Sequence, residues 1–470
     1  MNPSDYFKNR LIEANRQEYG QNYNGLKWLS VDEDRAAEER RSGILSDLRD
    51  RVKFGFKEAK LDCTRMSPGC EICGQGVWSC LFINGKCNCH CFYCPAEQNE
   101  IDVPTTNSVQ FLTPSDYVDY IEKFQFKGVS ISGGEPLLTF DRSLSYLAAV
   151  KKKFGGDIYT WLYTNGTLAT PDMFLKLRDA GLDEIRFDIG AAHYSLEKAA
   201  SAVGVIPHVT VEIPAVPEAF EQMKLKILEM KDAGINFLNL HQLRLTPHNF
   251  KQLARRGYTF LHGEKVTVLE SELVALDMIR FAKDSGIDLP INYCSFVYQN
   301  RFQKAAMRKR SAQWTKKSHE DITENGYIRA LCLTGNPDTL KTQAVRFQEG
   351  GFAKTLWSIS TDKLYFSVHL WAWVNFDGLS LRVSYFEAKI LPSMTYRNFF
   401  VAVPLNSEMK IVVEKMRVSR ELELSREEQL AFERQIIRRQ AQTDMDGVDS
   451  LRWPEVLGFE IIESGLQAYF

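Results

Sequence analysis

The sequence predicts an α/β chain built on a partial (β/α) barrel of parallel strands, with a helical N-terminal extension and a small C-terminal α+β domain. Three observations carry this reading. From about residue 77 to 293, short apolar runs alternate with amphipathic helical patterns, and strands joined by crossovers of that length form parallel sheets. After residue 325 the apolar runs become rich in aromatic and β-branched residues, as in antiparallel strands. Before residue 61 the chain is densely charged and helical in pattern.

The barrel strands are expected at Val77–Asn84, Gly128–Ser132, Ile158–Tyr163, Glu184–Ile189, His208–Ile213, Asn236–Leu240 and Leu289–Tyr293. The helices between them carry boundary signals. Thr113-Pro114 opens one, with Asp116 in a capping-box-like position and Val118, Ile121 and Phe124 as its apolar face. Thr170-Pro171 opens another. Gly181, Gly234 and Gly286 close three of them. Active sites of such barrels sit at the C-terminal ends of the strands.

We divide the chain into a helical extension at 1–60, a cysteine-rich segment and barrel at 61–325, and an α+β domain at 326–470. Val31–Arg41 reads as a solvated helix face on an extension packed against the barrel. In the last domain, strands are expected at Leu356–Ser360, Leu364–Trp371, Leu379–Phe386 and Phe399–Val403. A charged helix is expected over Ser425–Gln442, begun by a Ser425/Glu428 capping box.

A chain of 470 residues with 44% hydrophobic and 25% charged residues can bury a sizeable core. Its net charge of -2 gives no case for a nucleic-acid or membrane partner. No export signal and no apolar run long enough to span a bilayer is visible, so the expected location is the cytoplasm, where thiols stay reduced. Eight of the ten cysteines fall between positions 63 and 94. In such a chain that density points to metal rather than to disulfides.

Cys87, Cys91 and Cys94 are spaced C-x3-C-x2-C on the loop after the first barrel strand. Thiolates suit iron–sulfur clusters. Three cysteines leave one iron of a four-iron cluster open to another ligand, as open catalytic metal sites do. Taken alone, the same cysteines, with or without His90, could hold zinc. A second motif follows them. The strand Val129-Ser-Ile-Ser runs into Gly133-Gly134-Glu135-Pro136. Two glycines allow close backbone approach, and carbonyls or the Glu135 carboxylate can accept hydrogen bonds from an ammonium.

The cysteine spacing, with Tyr93 before its last cysteine, followed by Gly-Gly-Glu-Pro, resembles the radical S-adenosylmethionine (radical SAM) superfamily. The resemblance implies a barrel of the radical SAM type and an oxygen-sensitive [4Fe-4S] cluster at Cys87, Cys91 and Cys94. It also implies S-adenosylmethionine bound near Tyr93, Gly133, Gly134, Glu135, Pro136, Asn165 and Asp188, cleaved to a 5'-deoxyadenosyl radical. An electron donor such as a flavodoxin or ferredoxin is implied with it. Asn165, in Tyr163-Thr-Asn-Gly, has a polar turn as its plain reading. Asp188 and Glu212 are carboxylates within apolar strands, so each is a site residue or half of a structural ion pair. Ser67-Pro-Gly-Cys-x2-Cys, Trp78-Ser-Cys-Leu-Phe-Ile and Asn292-Tyr-Cys-Ser resemble, over about residues 60–310, proteins related to pyruvate formate-lyase activating enzyme.

Cys63, Cys70, Cys73 and Cys80 could close a second site, for another iron–sulfur cluster or zinc. Cys80 also reads as a packed core thiol, Cys89 as a spectator, and Cys294 and Cys332 as isolated thiols. His241 and Arg244 end one strand, and Arg308 lies in the basic run Arg301–Lys317. These are the candidate substrate contacts, with structural roles as the plain alternative. The function expected is modification of a small molecule or of a residue in a peptide or protein. The alternatives are a glycyl-radical activase, an RNA-modifying enzyme and a non-enzymatic metal-binding module.

Overall fold

The computed structural model describes residues 3–62, 65–439 and 452–469. It divides into two compact units, one formed by Lys8–Gln303 with Glu463–Phe470, the other by Lys304–Ile462 with Met1–Phe7.

The first unit is the barrel. Its parallel strands are β1 (Trp78–Asn84), β2 (Gly128–Gly133), β3 (Tyr159–Thr164), β4 (Glu184–Phe187), β5 (His208–Pro214), β6 (Phe237–His241) and β7 (Ile291–Cys294). They pair in chain order, each parallel to the next. The sheet does not close. Thr105–Thr106 runs antiparallel to β1 at one edge, and Lys60–Leu61 antiparallel to β7 at the other. Leu81, Ile131, Leu162, Ile185, Val211, Leu238 and Ile291 are all buried under the crossover helices, which explains the continuous apolar runs. β4 is shorter than the expected Glu184–Ile189, because the Asp188 side chain accepts a bond from the Gly190 amide and starts a turn.

The helix boundaries follow the capping chemistry. Thr113 accepts from the Asp116 amide and Thr170 from the Met173 amide. After helix Pro171–Asp179, Gly181 takes φ +90. The Leu182 amide then reaches back to the Leu177 carbonyl at 2.9 Å and the Gly181 amide to Arg178 at 2.8 Å, the paired closure of a Schellman end.

The barrel lumen is plugged by the helix Pro68–Gly74, whose cap Ser67 accepts from the Cys70 amide. A Cβ on Gly69 would sit 2.5 Å from Arg186 Nη2 and 2.8 Å from Glu184 Oε2, so any larger residue would have to displace the ends of those two side chains. In the extension, Val31–Leu48 begins with a full Ser30/Glu33 capping box. Its Arg41, expected on a solvated face, is instead buried and bonds Glu272 at 3.0 Å. No helix among the described residues is long and apolar enough to cross a membrane.

The second unit is an antiparallel sheet in the order Trp357–Ile359, Lys363–Phe366, Ile328–Gly335, Leu379–Leu391, Lys410–Arg417, Phe399–Pro404. One face packs a core that includes Leu331, Leu340, Phe347, Leu381, Tyr385 and Phe432. Three expectations need correction. Helix Lys304–Thr315 packs on the strands of this sheet, so the structural division precedes the expected 325/326 boundary. Leu364–Trp371 is not one strand, because Ser367 caps a 3-10 turn over Val368–Trp373. The Ser425/Glu428 box is present, but the helix it starts, Arg426–Ala431, widens into π-type turns over Phe432–Ile437. Residues 440–442 of the expected helix lie outside the described residues.

Candidate active site at the barrel mouth

The cysteine loop leaves the C-terminal end of β1 and is pinned at both ends. The Cys87 amide donates to the Gln98 carbonyl at 3.1 Å and the Cys94 amide to the Cys91 carbonyl at 3.0 Å. Cys87, Cys91 and Cys94 are free, partly exposed thiols. Burial raises the Cys91 thiol to about 12, with the nearby Asp188 carboxylate adding to the effect. A positively charged centre is what would make such a group a thiolate.

The next strand end is built against this loop. The Gly134 amide donates to Asn84 O at 2.9 Å and the Glu135 amide to Lys86 O at 2.7 Å. A Cβ on Gly133 would stand 2.2 Å from Asn84 O, and one on Gly134 2.0 Å from Lys86 O. Both glycines are therefore dictated by contact between the two loops. Pro136 follows as the first residue of a 3-10 turn. Glu135 is 1% exposed, and its carboxylate accepts from the Leu137 amide, the Thr164 hydroxyl and the Asn165 amide at 2.9, 2.8 and 2.7 Å. Its oxygens tie β2 to the end of β3, so an ammonium there would meet backbone carbonyls more readily than this side chain.

Asn165 donates to Asn88 Oδ1 at 2.8 Å and lies 3.7 Å from Cys87 Sγ. Asp188, at the end of β4, accepts the Tyr93 hydroxyl with both oxygens, at 2.8 and 2.9 Å. Burial raises its carboxyl to about 6, although the bonds from Tyr93 and Gly190 oppose the rise. Asn249, which the sequence did not single out, donates to the Tyr93 carbonyl at 3.2 Å and holds the loop from the other side. The four strand ends β1 to β4 thus converge on one loop.

Deeper in the lumen lies a connected polar set. Arg186 is 3% exposed and bridges Glu184 at 2.9 Å and Glu212 at 2.7 Å. Glu212 also accepts from Asn239 at 3.0 Å and meets His241 at 2.7 Å. Glu212 is therefore half of a structural ion pair and also touches a candidate substrate residue. His241 lies beside Cys294 in register across β6 and β7. Burial would raise the Cys294 thiol, but Lys60 and His241 hold it down at about 7. Cys294 is thus not an isolated thiol. Its position at a strand end was the signal that could have found it.

A family model described as the radical SAM superfamily matches residues 81–236. A Methanocaldococcus jannaschii protein, provisionally named as a glycyl-radical enzyme activating enzyme, is 31% identical over 298 residues, covering 61% of this chain and 78% of that protein. The chain belongs to the radical SAM superfamily.

A second Methanocaldococcus jannaschii protein, named as a probable GTP 3',8-cyclase, is 31% identical over 154 residues, 32% of this chain and 49% of that protein. The chain thus spans about half the length of that relative. Among solved structures, Streptococcus suis SuiB bound to S-adenosylmethionine aligns at 14% identity and a TM-score of 0.36, over 54% of this chain and 59% of that one.

Radical SAM proteins are enzymes, and membership implies an iron–sulfur cluster and S-adenosylmethionine. The donors at the mouth fit both groups, with three free thiols on one loop packed directly against the glycine backbone of the next strand end. Among the described residues, no three His, Cys, Asp or Glu side chains converge as on a single metal ion.

Of the upstream cysteines, Cys63 lies outside the described residues. Cys70 accepts from Asn239 at 3.2 Å and Cys73 from Gln303 at 2.7 Å, both inside the lumen. Cys80 is raised to about 11 by burial, against hydrogen bonds with Ser130 and Ser132. Arg244 lies 6.0 Å over the Phe296 ring. Arg308 belongs to the second unit, where it donates to Asn325 O at 2.8 Å and stacks 4.5 Å over Tyr327. A structural role accounts for it fully.

Proposed function

We propose that this radical SAM enzyme holds a [4Fe-4S] cluster on Cys87, Cys91 and Cys94, binds S-adenosylmethionine beside Gly133–Pro136, and modifies a small molecule or a residue in a peptide or protein. The observation that carries the reading is the fit of the cysteine loop against Gly133 and Gly134, which leaves no room for a Cβ at either. When bound, the cluster supplies the electron that cleaves S-adenosylmethionine to a hydrogen-abstracting 5'-deoxyadenosyl radical. The chain does the positioning. Gly133 and Gly134 offer backbone to the cofactor amine. Asn165 stands at the β3 end for its ribose or carboxylate. Asp188 orients Tyr93, whose backbone faces the adenine. His241, with Glu212 behind it, presents a charged group to substrate. A flavodoxin or ferredoxin is the class of electron donor, and a reducing compartment such as the cytoplasm suits the free thiols.

A glycyl-radical activase is the second reading, favoured by the named relative that the chain covers over 78% of its length. Its substrate would be a glycine of a large partner protein. For the RNA-modifying reading, Arg301 and Arg308 of the basic run already bond carbonyls of this chain.

The test is 5'-deoxyadenosine formation after anaerobic reconstitution and reduction. Wild type should form it and Cys91→Ala should not. Absence in wild type with a full iron complement would leave only the metal-binding module. Formation by Cys91→Ala would remove the ligand assignment.

A further inference from the structure

The second unit carries a concave site that the radical chemistry does not use. It encloses about 350 Å³ on the sheet face opposite the core, lined in part by Tyr365, Phe386, Phe399, Lys317, Arg397 and Arg417. Its floor is low because Ala330 and Ser384, direct cross-strand partners, are both small. Its walls are high because Phe386 faces Arg417 across one strand pair and Phe399 faces Lys415 across the next.

Charge is unevenly distributed in this site. Lys415 is 7% exposed and satisfied by Glu320 at 2.5 Å. Glu421 is taken by Lys363 at 3.3 Å and Arg382 at 3.5 Å. Both acids of the lining are thus spent. Among the described residues, Lys317, Arg397 and Arg417 make no ion pair, and Arg417 only lies 5.2 Å over the Phe386 ring. Ser384 is 5% exposed, and its hydroxyl makes no hydrogen bond among the described residues. Three uncompensated cations around one concavity repel each other and attract an anion. Two of them are guanidiniums, whose fork matches the oxygens of a phosphate. Phe399, 54% exposed at the rim, adds a face on which a planar ring can stack.

We propose that this concavity binds a phosphorylated nucleoside, with Arg397, Arg417 and Lys317 around the phosphate and Phe399 or Phe386 against the base. The volume suits one nucleotide, at the lower end of the range for small-ligand sites.

The probe is GMP, whose base differs from the adenine of S-adenosylmethionine. Calorimetry on the intact, reconstituted chain should show GMP binding that weakens with salt. Guanosine and ribose 5-phosphate should each bind at least ~10-fold more weakly. The exposed-site variant Arg397→Gln/Arg417→Gln should lose ~10-fold or more in GMP affinity while forming 5'-deoxyadenosine as wild type does. Phe399→Ala should weaken GMP and leave ribose 5-phosphate unchanged. No GMP binding at millimolar concentration overturns the proposal, as does equal binding by wild type and the double variant. Neither result bears on the cluster assignment, which 5'-deoxyadenosine reports separately.

Discussion

Glu212 Oε1 stands 2.7 Å from His241 Nε2, inside the barrel and one strand apart. Burial would push the imidazole down, but the Glu212 carboxylate outweighs it and holds His241 up at about 10. Burial would likewise raise Glu212, and Arg186 with His241 holds it well below the usual carboxylate range. Each charge therefore depends on the other.

The sign of the pH effect follows. His241 is raised, so its stabilisation is complete below about pH 6.5 and is lost as pH rises toward 10. Glu212 is lowered, so its share is present above the ordinary carboxylate value and is lost below it. The melting temperature should plateau near pH 5–6.5 and fall on both sides. In Glu212→Gln the alkaline fall should flatten, and the loss of one partner of a buried pair should cost roughly 3–5 kcal/mol. Melting curves from pH 4 to 10 check both, and an unchanged alkaline slope would contradict the pairing.

Cys294 should react with iodoacetamide with a midpoint near pH 7, reflecting Lys60 and His241 beside it. His241→Gln should move that midpoint up by about one unit or more, toward an ordinary thiol. Mass spectrometry of the Cys294 peptide over pH 6–10 measures it.

Gly134→Ala places a Cβ 2.0 Å from Lys86 O. Since backbone is what it meets, the cysteine loop must move. Iron retained after reconstitution should fall several-fold. Gly25→Ala, with nothing within 4 Å, is the control and should keep full iron. Equal iron in both variants would remove the loop–glycine contact as a cause of the site's shape.

Gly43 lies exposed in the helix Val31–Leu48, with nothing within 4 Å of an added Cβ. Gly43→Ala should stabilise the first unit by about 0.5–1 kcal/mol, read as a raised melting temperature with unchanged 5'-deoxyadenosine formation.

The barrel strands were legible because fully buried parallel strands are continuous apolar runs between capped helices. All seven lie within three residues of their expected ends. Ile328–Gly335 and Lys410–Arg417 were missed. Their runs mix buried charge with apolar residues, since Arg329 pairs with Glu460 and Lys415 with Glu320, and a lone sequence does not show those partners. At the site, Gly133 and Gly134 were legible from their spacing. Glu135 read as an acceptor for an ammonium because a sequence cannot show that Thr164 and Asn165 already bond it. Asn249 acts through Tyr93, distant in the chain, which no local pattern encodes, whereas the strand-end position of Cys294 was visible in the sequence.

The segment 463–469 is built into the barrel unit. Arg301 takes the carbonyls of Glu463, Ser464 and Gly465. Tyr469 bonds Glu272 at 2.7 Å and covers Arg41 at 3.9 Å. The ribosome delivers this segment only after the whole of Lys304–Ile462, on the order of ten seconds or more at roughly 5–20 residues per second. During that delay the Arg41–Glu272 pair is left open to water. The barrel unit is thus the first made and the last completed, which sets a waiting period before its closing contacts can form.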